Sequence, residues 1–242
     1  PMHYAQVGNN FVYGSEIKSI LEFPGFEKKF NYKTLDNYLS FQYAVPPETF
    51  FEGVYCLLPG HYLWYKDGKV TTTRYWEAKF EPDESLTEEQ AVDEIEQVFE
   101  NSVNAHKISD VEVGCFLSSG VDSSYVSTYF ADQKTFTVGF DFGEKYNEIS
   151  WAQRLSNKIG VDHHFKLIKS EEFWGSIKKV QYHMDQPLAD PSCIALYFVS
   201  KLASEHVKVV LSGEGADELF GGYTVYNDPR VFKAYQSVVP YG

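Results

Sequence analysis

Two regimes of hydrophobic and polar patterning divide the chain. Over Gln6 to Tyr13 and Gly60 to Tyr75, apolar and polar residues alternate and turn as in β structure, where successive side chains point to opposite faces. The second run is split by Lys66-Asp67-Gly68-Lys69, an Asp-Gly turn between stretches rich in Tyr, Trp, Val and Thr, which predicts a hairpin. Shorter helical spacings over Ser15 to Phe23 and Thr34 to Tyr43 make this first part α+β. The stretch Glu81-Pro82-Asp83-Glu84-Ser85 is acidic, contains a proline and holds almost nothing apolar, so it reads as a linker. A first domain is therefore expected over residues 1–80, a linker over 81–86 and a second domain over 87–242.

Beyond the linker, apolar strands alternate with amphipathic helices, the signature of a parallel sheet covered on both faces. Thr87, followed three residues later by Gln90, forms a capping box, and Val92, Ile95, Phe99 and Val103 recur at helical spacing, so a helix is predicted to about Ala105. Strands are predicted at Val111 to Leu117, Thr135 to Phe140, His163 to Ile168 and Val207 to Leu211. Helices are predicted at Ser123 to Ala131, Glu148 to Ile159, Glu171 to His183 and Ser192 to Ser204. Four strands with their crossovers predict an open, doubly wound α/β sheet.

Composition then narrows the partners. With 242 residues, 43% apolar and 17% aromatic, the chain can bury a substantial core. Its 21 basic and 34 acidic residues leave a formal charge of −13, which repels a phosphate backbone, so no nucleic acid is expected, and the many aromatic residues read as packing rather than base stacking. A bound nucleotide would need backbone N–H groups or a divalent cation against that field. There is no apolar run of membrane-spanning length and no secretory pattern at Pro1-Met2-His3-Tyr4, so no membrane association and a cytoplasmic location are expected. Beginning at a proline without an initiator Met points to processing, trimming or a fragment. Cys56, Cys115 and Cys193 lack metal-ligand spacing; Cys115 lies in an apolar strand and reads as core rather than nucleophile. His163 and His164 are adjacent on a predicted strand and point to opposite faces, which argues against joint metal ligation.

Ligands of doubly wound sheets bind beyond the carboxyl ends of the strands, and two loops at such ends stand out. In Ser118-Ser119-Gly120-Val121-Asp122-Ser123-Ser124, small residues let the backbone approach a ligand, the start of a helix offers N–H donors to phosphate, and the serine hydroxyls add more. The second loop, from Ser212-Gly213-Glu214-Gly215-Ala216-Asp217 to Gly221-Gly222-Tyr223, presents acids from a glycine-rich turn. Acids beside phosphate fit Mg2+, which takes one or two carboxylates and bridges to phosphate oxygens, making Asp122 and Asp217 its candidate ligands. Asp122 also fits, less well, a plain cap for a helix starting at Ser123, and Glu214 a solvated loop acid.

The first loop resembles the S-G-G-x-D-S-S loop of ATP pyrophosphatases, and LSGEGADELFGGY resembles the second signature of glutamine-hydrolysing asparagine synthetases. PMHYAQVGNNFVYGSEIKSIL likewise resembles late strands and a helix of that family's glutaminase domain, and LLPGHYLWYKDGKVTTTRYW its closing hairpin. The resemblance covers essentially the whole chain. It implies that residues 1–80 are an α+β remnant of an N-terminal-nucleophile, class II glutamine amidotransferase domain. Residues 87–242 would be the first part of a sheet of the ATP-pyrophosphatase, adenine nucleotide alpha hydrolase-like type.

The implied activity is a ligase that uses ATP and Mg2+. The aspartate side-chain carboxylate attacks the α-phosphorus and releases pyrophosphate, and ammonia, free or from glutamine, displaces AMP from β-aspartyl-AMP. The resemblance places Ser118, Gly120, Asp122 and Ser123 on pyrophosphate and Mg2+, with Asp217 completing that site. Phe116, Leu117, Val138 and Gly213 would line the adenosine pocket, with Ser119 and Ser212 in the same nucleotide-binding set. Glu214 matches the catalytic glutamate that orders ammonia and accepts its proton. Asp190 and Ser192, in the stretch Met184 to Ser192, match substrate contacts, although Asp-Pro-Ser also fits an ordinary turn and helix start. Ser119 stands where the superfamily has glycine, so a positive φ there would cost about 1 kcal/mol.

The family's N-terminal cysteine, its glutamine-binding residues and a later lysine fall outside the chain, so these 242 residues alone are expected to be inactive. β-Lactam synthetases and peptide-cyclising relatives share both signatures, and Glu214 favours ammonia as acceptor over theirs. A non-catalytic nucleotide-binding module is the reading from another class, and a homodimer is left open as the assembly.

Overall fold

The computed structural model describes residues 1–130, 133–143, 147–187, 189–227, 235 and 237. They belong to two compact units, Pro1–Leu86 with Glu171–Ile194, and Thr87–Ser170 with Ala195–Gly242.

In the first unit β1 (His3–Val7) and β2 (Asn10–Gly14) form an antiparallel hairpin, and β3 (Val54–Cys56) pairs with the other edge of β1. The expected β run from Gln6 to Tyr13 therefore contains a turn at Gly8, where φ is 58°. Helix α1 (Ile17–Leu21) buries Ile17 and Ile20 against Ala5 and Val54. Helix α2 (Tyr32–Phe41) begins two residues before its predicted start, because Asn31 caps it by accepting from Thr34 N–H. The predicted hairpin is β4 (His61–Lys66) and β5 (Lys69–Arg74), whose Asp67 and Gly68 take φ values of 51° and 74°, the left-handed pair that a tight I′ turn requires. Helix α6 (Ser170–Met184) also packs in this unit from Glu171 onward.

The second unit opens with α3 (Glu88–His106). Both halves of its capping box form, Gln90 N–H donating to Thr87 Oγ1 at 3.3 Å and Thr87 N–H to Gln90 Oε1 at 3.0 Å. Thr87→Ala is expected to lower unfolding free energy by about 1 kcal/mol, read by chemical denaturation, whereas Thr87→Ser should retain it.

Next come β6 (Val113–Phe116), α4 (Val121–Thr128), β7 (Lys134–Phe140), α5 (Ile149–Ile159), β8 (Asp162–Ile168), α7 (Ser192–Ser204), β9 (Val209–Leu211) and α8 (Ala216–Phe220). The four strands are parallel in the order β8-β7-β6-β9, so the winding direction reverses between β6 and β9. Alternate residues of β6 face different layers. Val113 and Cys115 pack with Val103, Val126 and Phe130, whereas Phe116 packs toward Phe136, Val199 and Ala203. Helices thus cover both faces, as the run of short apolar strands predicts. Burial pushes the Cys115 thiol up to about 12, in keeping with a core role. His163 and His164 take separate partners, Thr135 Oγ1 and Asp162 Oδ2. Among the described residues, no helix is long and apolar enough to cross a membrane.

Candidate active site

The reversal between β6 and β9 is where open α/β sheets hold ligands, and both candidate loops leave the sheet there. Leu117 closes the strand end. Its N–H donates to Phe136 C=O, its C=O accepts from Thr137 Oγ1, and its side chain is buried. The loop then folds on itself. Ser118 and Ser123 hydroxyls lie 2.7 Å apart, Ser118 N–H donates to Ser123 Oγ at 3.1 Å, and Gly120 N–H donates to Ser118 Oγ at 3.1 Å.

Helix α4 begins at Val121 with Gly120 as its N-cap, two residues earlier than predicted. It ends at Thr128; the predicted end, Ala131, lies outside the described residues. Asp122 consequently sits inside the first turn, which removes its reading as the capping residue. The N–H groups of Val121, Asp122 and Ser123 precede the i→i−4 ladder and form the donor set expected for phosphate. Among the described non-glycine residues, positive φ occurs at Gln42, Asp67 and Asp185, so Ser119 adopts ordinary backbone geometry and the strain considered for it does not arise.

The second loop is seated on the first through Gly213. A Cβ at Gly213 would stand 2.8 Å from Ser123 N, 2.9 Å from Asp122 Cβ and 3.0 Å from Asp122 C, so only glycine permits this approach. Glu214 follows, exposed, with its N–H directed to Ser212 Oγ at 3.4 Å. Asp122, Ser212, Gly213 and Glu214 line a cavity of about 530 Å³ together with Ile95 and Val98 of α3. Asp217 lies in α8, and its carboxylate covers Gly222. Phe116 and Val138 are half-buried on the α7 side of the sheet. Asp190 and Ser192 belong to the first unit, where Asp190 Oδ1 accepts from Ser192 N–H at 2.8 Å at the head of α7; Leu188, in the same stretch, lies outside the described residues.

One contributor escapes the sequence reading. Glu148, the N-cap residue of α5, accepts from Ser119 N–H at 3.2 Å, so a third carboxylate joins Asp122 and Glu214 around the phosphate-type loop. The only signal for it in the sequence is an acid at the head of a helix that follows a strand. Among the described residues no three His, Cys, Asp or Glu side chains converge as a metal site. One or two carboxylates beside a cradle of N–H donors nevertheless suit Mg2+, which completes its shell with phosphate oxygens and water.

A family model for asparagine synthase matches residues 94–241, taking in both loops. The chain belongs to the asparagine synthase family. A glutamine amidotransferase domain model matches residues 1–76. Asparagine synthetase [glutamine-hydrolyzing] 1 of Bacillus subtilis is 37% identical, over 98% of this chain and 38% of that protein. A putative asparagine synthetase [glutamine-hydrolyzing] of Mycobacterium tuberculosis is 37% identical over 97% of this chain and 38% of its own length. Amidase chyE of Penicillium rubens is 29% identical over 93% of this chain and 36% of its own. The chain thus spans less than two fifths of the length of each of these relatives. Within this asparagine synthase-family chain, the 94–241 match also includes α6 and the residues up to Ile194, which pack with Pro1–Leu86.

Proposed function

We propose that the full-length protein is a glutamine-hydrolysing asparagine synthetase that converts aspartate, ATP and glutamine or ammonia into asparagine, AMP and pyrophosphate. In this reading residues 1–80 end a class II glutaminase domain, 81–86 link it, and 87–242 begin an ATP-pyrophosphatase domain. A cytoplasmic location is part of the same proposal, supported by substrates that are soluble metabolites. What supports it most is the seating of Gly213 on Asp122 and Ser123, which joins a phosphate-type donor set to an exposed acid, Glu214, on the next loop.

The N–H groups at the head of α4, with the Ser118 and Ser123 hydroxyls, hold the pyrophosphate as the aspartate carboxylate oxygen bonds to the α-phosphorus and the bond to pyrophosphate breaks. Phe116, Leu117, Val138, Ser119, Ser212 and Gly213 frame the rest of the nucleotide. Asp122 and Asp217 would hold Mg2+, which neutralises phosphate charge when bound. Glu214 then takes a proton from the ammonia nitrogen as that nitrogen bonds to the acyl carbon and AMP leaves. Asp190 and Ser192 contact the amino-acid substrate.

Exchange between ATP and labelled pyrophosphate by the full-length protein, across a panel of amino acids, tests this. Exchange that requires aspartate is expected, and Asp122→Asn should lower it by about 10²-fold. Exchange driven by another amino acid, or none at all, would refute the assignment.

A further inference from the structure

Within the first unit, the segment after α6 is tied to Pro1–Leu86 by side chain to backbone hydrogen bonds centred on two adjacent residues. Asp185 holds a left-handed backbone at φ 63°, uncommon outside glycine although aspartate tolerates it better than most residues. Its carboxylate accepts from Ile17 N–H at 2.6 Å and Lys18 N–H at 3.3 Å, and it pairs with Lys18 Nζ at 2.8 Å. Glu16, the N-cap residue of α1, makes no side-chain capping bond, so Asp185, 168 positions beyond Ile17, does that work. Burial opposes the charge of Lys18, yet the Asp185 and Glu16 carboxylates outweigh it and raise the lysine pKa. The ammonium also stands 5.1 Å from the Tyr182 ring centre. Gln186 Oε1 accepts from the N–H of buried Phe50 at 2.9 Å, and Ala189 N–H donates to Gln42 C=O at 3.3 Å.

Ile17, Lys18 and Phe50 fall in the segment matched by the amidotransferase model, whereas Asp185 and Gln186 fall in the asparagine synthase match. Three backbone donors of one therefore depend on two side chains of the other, and without them those donors would lack their partners. Immediately beyond the pair come Asp190 and Ser192, and α7 then runs on to Phe198, Val199 and Ala203, which are buried in the second unit.

We propose that Asp185 and Gln186 are positioning residues that couple nitrogen delivery to amide formation, by fixing the synthetase-matched chain between α6 and α7 onto the amidotransferase-matched segment. The inference rests on the synthetase reading above. Its test uses the full-length protein with Asp185→Ala and Gln186→Ala, alongside Asp185→Asn and Gln186→Glu, which retain acceptor oxygens. Asparagine formed from glutamine and from ammonia is measured, together with glutamate released per asparagine.

Glutamine-dependent formation is expected to fall about tenfold in the alanine variants while ammonia-dependent formation stays within about twofold. Glutamate per asparagine should rise, and Gln186→Glu should restore the wild-type ratio. Equal losses with both donors, or an unchanged glutamate-to-asparagine ratio, would overturn the coupling role. Amide hydrogen exchange reads the latch without activity: Ile17, Lys18 and Phe50 should exchange faster in the alanine variants. Wild-type exchange at those amides would refute the latch itself. A wild-type protein that makes no asparagine from either donor would instead refute the synthetase reading.

Discussion

Replacing Glu214 by glutamine is expected to lower asparagine formation by about 10²–10³-fold while ATP/pyrophosphate exchange stays within about threefold of wild type. The two half-reactions of the proposed synthetase differ in their need for a base. In the first, the attacking group is a carboxylate, already deprotonated at neutral pH, and the work lies in holding phosphate oxygens and the leaving pyrophosphate. In the second, ammonia must lose a proton once its nitrogen bonds to the acyl carbon, so an acceptor beside that nitrogen lowers the barrier. Glu214 suits that task because it is exposed, follows the glycine seated on α4 and precedes Gly215, which turns the chain at φ 92°. Glutamine preserves the size and the Ser212 contact, which is made by the backbone N–H of residue 214, and removes only the basic oxygen. Exchange and asparagine formation are measured on one preparation of the full-length protein. Parallel loss in both assays would assign Glu214 to adenylation and end its role as the ammonia base.

Local rules were enough for part of this fold. The Thr87 and Gln90 box, the Asp67-Gly68 turn and the alternation of short apolar strands with helices are all encoded within a few residues, and each forms as the pattern predicts. Strand β3 has three residues, too few to show a period, and exists because His3, Tyr4 and Ala5 pair with it. The start of α4 was displaced for a related reason. Small polar residues carry no apolar period, and the helix begins where Gly120 can take an extended conformation and its C=O can accept from Ser124.

The loops themselves were legible because glycine, serine and aspartate occur there in a spacing that suits phosphate. Their contact was not, since it depends on the strand order that sets β9 beside β6. Glu148 and Asp185 were missed on the same ground. Each acts on a backbone far along the chain, Ser119 for one and Ile17 with Lys18 for the other, and nothing periodic marks a side chain that reaches so far.

That loop contact leads to the second large effect, expected for Gly213→Ala. Gly213 does not occupy the left-handed region, so alanine is free to adopt its backbone angles, and the cost comes from space alone. The added methyl would meet Ser123 N at 2.8 Å and Asp122 C at 3.0 Å, backbone atoms that cannot swing aside as a long side chain would. Either the second loop lifts away or the first turn of α4 is pushed inward, and both move an N–H assigned to phosphate relative to the acid on the next residue. Shifts of that kind lower ATP/pyrophosphate exchange by about 10²-fold when reacting groups leave their attack geometry. The accompanying loss of unfolding free energy should be about 1–3 kcal/mol, the usual cost of overpacking. Gly215→Ala supplies the contrast, because its Cβ meets nothing within 4 Å while its φ of 92° strains any side chain. It should cost about 1 kcal/mol of stability and leave exchange closer to wild type than Gly213→Ala does. If Gly213→Ala instead exchanges at the wild-type rate, adenylation does not need the two loops in contact, and the seating of Gly213 loses its place as the main support for the synthetase reading.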